Sequence, residues 1–160
     1  MNHQEEMQKT LQRNLHRNKP ENQPQNLHQN QAAQYVRSTD IVRLGMGPTL
    51  SDAAIFNGTV HLAGQVADDV TKNIAGQTLE VLAHVDRLLG EAGSDRSRIL
   101  MCQIFLASIK DLDAMNQVWN GWVAQGHAPP RATVEAKLAR PEWLVEIVVT
   151  AAVAAATVAA

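Results

Sequence analysis

Ser51-Asp-Ala-Ala-Ile-Phe56-Asn57-Gly58-Thr59-Val-His-Leu-Ala63-Gly64 sets two strand-like runs on either side of an Asn-Gly pair. Both turn residues tolerate the positive φ that a two-residue hairpin requires, so the stretch predicts a β-hairpin of 51–56 and 59–63. Ile41–Leu44, just upstream, reads as another short strand. Downstream, Ile74, Thr78, Val81, Leu82, Val85, Leu88 and Leu89 recur at three- and four-residue steps. That period places one apolar stripe on a helix, with Gly93 as its stop. Ile99–Leu106 is rich in β-branched and large apolar residues and reads as a strand. Asp111 is placed to cap a second helix, whose stripe is Leu112, Met115, Val118, Trp119 and Trp122. The loop Gly126-His-Ala-Pro-Pro130 breaks it.

Two strands close the chain's body. In Arg131–Leu138 the residues Ala132, Val134, Ala136 and Leu138 alternate with Arg131, Thr133, Glu135 and Lys137. A period of two puts these sets on opposite faces. Arg140-Pro141-Glu142 turns the chain into Leu144–Val153, where Glu146 stands among Val145, Ile147, Val148 and Val149. The order β-β-β-α-β-α-β-β implies an α+β fold: one mixed sheet of about six strands covered on one face by two helices. The other face is left for a second copy, so apolar residues on it point to an oligomer.

The chain has 160 residues, which suits one domain. Fourteen Lys and Arg against sixteen Asp and Glu give a net charge of -2, which offers no basic surface for nucleic acid. No apolar run approaches the roughly 20 residues of a membrane helix. Cys102 is the single cysteine, so an intramolecular disulfide is excluded. With no apolar secretory core near the start, a cytoplasmic location is expected. Residues 1–37 hold eight Gln and six Asn and few apolar anchors, and are expected to form a disordered tail with at most a short helix over 5–15. The domain is expected over 38–153, followed by an Ala-rich tail over 154–160.

Chemistry-bearing motifs are sparse. The chain has no phosphate-binding glycine loop, no Gly-x-Ser-x-Gly elbow and no helix-borne pair of metal-binding histidines. His61, His84 and His127 fall on a strand, a helix and a loop, so no metal site is expected. Cys102, inside an apolar strand, reads as a small buried hydrophobe. Arg131 opens a strand directly after Pro129-Pro130, where its planar fork of donors suits a carboxylate. Glu146 is a carboxylate in an apolar strand and needs a partner if buried. From spacing alone, the two pair across adjacent strands as a structural salt bridge.

Several stretches carry a resemblance. Asn57-Gly-Thr-Val-His-Leu-Ala-Gly-Gln-Val66, Glu91-Ala-Gly-Ser94, Met115-Asn-Gln-Val-Trp119, Pro130-Arg-Ala-Thr-Val-Glu135 and Leu144-Val-Glu-Ile147 occur in the order found in the YjgF/YER057c/Rid family, the reactive-intermediate deaminases. The run Arg131–Trp143 is most similar to the YoaB/RutC-like side of that family. The resemblance implies a chorismate-mutase-like fold, a homotrimer and ligand clefts between subunits. It implies that Arg131 binds the carboxylate of a 2-imino or 2-enamino acid and that Glu146 places or activates water. The products are then a 2-keto acid and ammonia, with no cofactor. Gly64, Thr133, Leu50, Asn116 and Trp119 are the implied substrate-binding positions. Two departures stand out: Leu50 replaces a family tyrosine, and Thr133 a common cysteine. The other classes consistent with the resemblance are a non-catalytic trimeric carboxylate-binding protein and a chaperone-like or RNA-cleaving relative.

Overall fold

The computed structural model describes residues 40–154. The Gln/Asn-rich tail over 1–37 and all but Ala154 of the final Ala-rich stretch lie outside the described residues.

Three short strands come first: β1 (Val42–Leu44), β2 (Ala53–Phe56) and β3 (Thr59–Leu62). The β2–β3 hairpin turns on Asn57 at φ 48° and Gly58 at φ 72°, the pair of left-handed residues that the sequence predicts. Helix α1 (Ile74–Glu91) follows, capped by the Asn73 side chain, which accepts from Gly76 N–H at 3.0 Å. Gly93 at φ 73° ends it, and Ser94 N–H closes back onto Leu89 C=O at 2.8 Å. Then come β4 (Ile99–Leu106), α2 (Leu112–Trp122), β5 (Arg131–Glu135) and β6 (Val145–Ala152).

The six strands form one sheet in the order β1-β2-β3-β6-β4-β5. Every described pairing is antiparallel except β4 with β5, because α2 supplies the crossover that parallel strands need. Both helices cover one face. Val60, Cys102, Ile104, Leu106, Ile147 and Val149 point into the core against Val81, Val85, Leu88 and Met115. The opposite face carries no helix and leaves Phe56, Met101 and Val134 39–49% exposed.

Three details differ from the sequence reading. Strand β5 ends at Glu135 rather than continuing to Leu138. Asp111 sits at the N-cap of α2 but its side chain makes no capping bond. A 3-10 turn, Ile109–Asp111, precedes the helix and is capped by Ser108 instead. Gln77 on α1 is buried, a polar side chain that no sequence pattern marks. Its amide donates to Glu142 C=O (3.0 Å) and Lys72 C=O (3.2 Å) and accepts from Leu144 N–H (2.9 Å). It therefore pins the β5–β6 connection to α1. Gln77→Ala strands these backbone groups and is expected to destabilise the fold by about 2 kcal/mol, read as a lower urea midpoint.

Candidate functional site

Arg131 is the first residue of β5. The parallel register pairs it with Cys102 and pairs Thr133 with Ile104. Cys102 and Ile104 are core residues, so Arg131 and Thr133 face the helices, while Ala132 and Val134 face outward. The polar set of β5 is thus the inward one.

Helix α2 meets that set with Asn116 and Trp119, three residues apart and on one helical face. Asn116 Oδ1 accepts from Arg131 Nη2 at 2.9 Å. The guanidinium carbon lies 4.9 Å from the centroid of the Trp119 ring, a cation–π contact. Arg131 Nη1 and Thr133 Oγ1 are both buried and have no hydrogen-bond partner among the described residues. Buried polar groups are almost always paired, so two neighbouring exceptions mark a place for an acceptor. Cys102 borders this group. Burial pushes its thiol from 9.0 up to about 12, against the smaller opposing effect of the Arg131 charge. A thiol so held stays protonated and is a poor nucleophile.

Gly64 adjoins two further candidates, Glu146 and Leu50, away from Arg131. A side chain on Gly64 would collide with the Glu146 carboxylate, so glycine is what lets that carboxylate lie against the backbone after β3. Leu50 and Gly64 line a cleft of about 350 Å³ with Asp52, His84 and Arg87. Leu50 is 59% exposed and brings no hydroxyl.

The two groups do not meet within one chain. The salt bridge expected between Arg131 and Glu146 is not formed, because β4 lies between their strands. Glu146 pairs with Phe105, three residues along β4 from the Cys102 that flanks Arg131. Three residues and two strand spacings put the two backbones roughly 14 Å apart, and the side chains leave opposite faces. Among the described residues neither forms an ion pair.

His61 lies on β3, His84 on α1 and His127 in the loop after α2. His84 sits beside Asp68 and Glu80, with one ligand atom of each within 4.8 Å of the others. Glu80 is already committed: it accepts from the backbone N–H of Asp68 and Asp69 and from Lys72 Nζ at 2.9 Å. The Lys72 hydrogen bond holds the Glu80 carboxyl below its usual range. A cation already fills that role, so the cluster reads as a latch between the 68–72 loop and α1. The larger surface cavity, about 750 Å³, lies along the β5–β6 connection between Glu135 and Trp143, and no candidate residue lines it.

The family model described as Endoribonuclease L-PSP matches residues 43–153. The chain belongs to the YjgF/YER057c/Rid family. A RutC family protein of Haemophilus ducreyi is 46% identical to this Rid-family chain over 113 residues, covering 71% of the chain and 97% of the relative. The RutC family protein YoaB of Escherichia coli is 42% identical over 113 residues, covering 71% and 98%. Among solved structures, a YjgF-family protein from Neisseria meningitidis shares 46% identity at a TM-score of 0.71, covering 72% of this chain and 97% of that one. Both groups of candidate residues fall inside the matched span. No helix among the described residues of this Rid-family protein is long and apolar enough to cross a membrane.

The state of Cys102 is directly testable. Iodoacetamide at pH 8 should leave the folded chain unlabelled over hours and label it fully in urea, as counted by intact mass. As pH rises from about 9 towards 12, the unfolded thiol ionises and the folded one does not, so stability should fall across that window.

Proposed function

We propose that the protein is an enamine/imine deaminase that hydrolyses small 2-imino or 2-enamino acids to 2-keto acids and ammonia. The observation that carries this reading is the pair of buried donors without partners, Arg131 Nη1 and Thr133 Oγ1, on one face of β5. A guanidinium and a hydroxyl side by side suit a carboxylate next to a second polar group: the guanidinium donates to the carboxylate, and the hydroxyl donates to a keto oxygen or accepts from a protonated imine. Asn116 uses Nη2 and leaves the other arm of the fork for ligand. Trp119 backs the guanidinium and excludes water from behind it.

The chemistry demands little more. A protonated imine carbon is already electrophilic, so catalysis needs orientation and proton transfer. Water attacks C2 and gives up a proton to Glu146. Glu146 passes that proton to nitrogen, then takes the hydroxyl proton as the C–N bond breaks; the keto acid and ammonia leave, and ammonia picks up that proton as ammonium. For Glu146 to serve a substrate held by Arg131, the two must come from different copies, since one chain holds them apart on opposite faces. The exposed apolar residues of the helix-free face, Phe56, Met101 and Val134, support such an assembly. A homotrimer with clefts between subunits meets both needs. A single cysteine that stays reduced suits a cytoplasmic enzyme.

One observation favours a second reading, a carboxylate-binding trimer without turnover. Leu50, where the family carries a tyrosine, gives the Gly64 cleft no hydroxyl to order water. The two readings part on turnover. A coupled assay would generate 2-imino acids in situ with an amino-acid oxidase and follow ammonia release. The deaminase reading expects Arg131→Lys to lose at least about tenfold in kcat/KM, because a point charge does not replace the fork. It expects Glu146→Gln to lose turnover while still binding 2-oxobutanoate. Binding by wild type without any rate acceleration would select the second reading.

A further inference from the structure

The Arg131 guanidinium is the end of a longer stack. Behind it lies Trp119, and behind Trp119 lies Trp122, with ring centroids 5.2 Å apart and planes tilted by 53°. A second guanidinium, Arg96, closes the far side at 5.1 Å from the Trp122 centroid. The order is Arg131, Trp119, Trp122, Arg96, two cations enclosing two indoles.

The far end is fixed by hydrogen bonds. Asp86 Oδ2 on α1 accepts from Trp122 Nε1 at 2.9 Å and from Arg96 Nη2 at 2.7 Å. Arg96 Nη1 donates to the Trp122 carbonyl at 2.7 Å, which also satisfies an open C=O at the end of α2. The tilt of Trp122 is thereby set by its N–H, and its packing sets the plane of Trp119. The Arg131 guanidinium carbon sits over that ring at 4.9 Å from its centroid, and Asn116 holds Nη2 at 2.9 Å. Together they determine where Nη1 points.

We infer that Asp86 and Arg96 are positioning residues for the carboxylate site, acting through Trp122 and Trp119 to hold the plane of the Arg131 fork. This rests on the carboxylate-site reading above. It adds Asp86 of α1 and Arg96 of the short 3-10 turn Arg96–Arg98, neither of which touches ligand, to the determinants of affinity. A bidentate contact depends on the plane of the donor, whereas a contact to a point charge does not. That difference separates positioning from general support of the fold.

The test uses the full chain with 2-oxobutanoate as probe, titrated by calorimetry. Asp86→Asn and the milder Trp122→Phe, which keeps a ring and loses the N–H, should each raise Kd about three- to tenfold. In an Arg131→Lys background, where no plane remains to be set, the same changes should leave Kd unaltered. The chain has three tryptophans, so in a Trp143→Phe background only Trp119 and Trp122 report. Their emission should change on ligand addition, and Arg131→Ala should abolish that change. Wild-type affinity in Asp86→Asn and Trp122→Phe, or equal weakening in both backgrounds, overturns the positioning role and leaves the site standing. No binding by wild type overturns the site and the inference together.

Discussion

A guanidinium that faces the helix side of a sheet must be held by the groups around it, because burying a charge without partners is expensive. Arg131 is placed there by the register of β5 against β4, which aligns it with the buried Cys102. Asn116 satisfies one arm and Trp119 covers one face, but the remaining arm stays unpaired. That shortfall organises the reading of the molecule. It explains why α2 presents an asparagine and a tryptophan to the edge strand rather than a continuous apolar stripe. It also explains why the outward side of the same strand is the apolar one.

The inversion of β5 links the site to assembly. Polar residues inward and apolar residues outward would be unfavourable for an isolated chain. The arrangement makes sense when the inward side takes a ligand and the outward side meets another copy. Glu146 leaves the sheet from the face that Arg131 avoids, so under the proposed function its role too calls for a second copy. Its carboxylate is shaped by Gly64, whose missing side chain opens the space it occupies.

Much of this could be read from residue patterns, and the failures have physical reasons. The Asn57-Gly58 hairpin, the α1 stripe and strand β4 were legible because turn chemistry and period are local properties. The alternation in β5 was legible too, but a period of two separates faces without saying which is inside; only the pairing with Cys102 decides that. The expected salt bridge failed because strand adjacency is a matter of topology: β4 inserts between β5 and β6, and spacing carries no trace of it. Asn116 and Trp119 came from resemblance to a family, and the structure brings both against Arg131. Asp86, Arg96 and Gln77 had no sequence signal, since each acts through partners distant in the chain.

The most direct test of a site shared between copies is complementation. Arg131→Ala and Glu146→Gln chains, each inactive alone, would be unfolded, mixed in equal amounts and refolded together. Ammonia release from an in situ 2-imino acid would then be compared with that of wild type. If each site takes Arg131 from one copy and Glu146 from its neighbour, randomly mixed assemblies should regain activity in roughly a quarter of their sites. An active wild type whose mixed variants recover nothing would contradict the account.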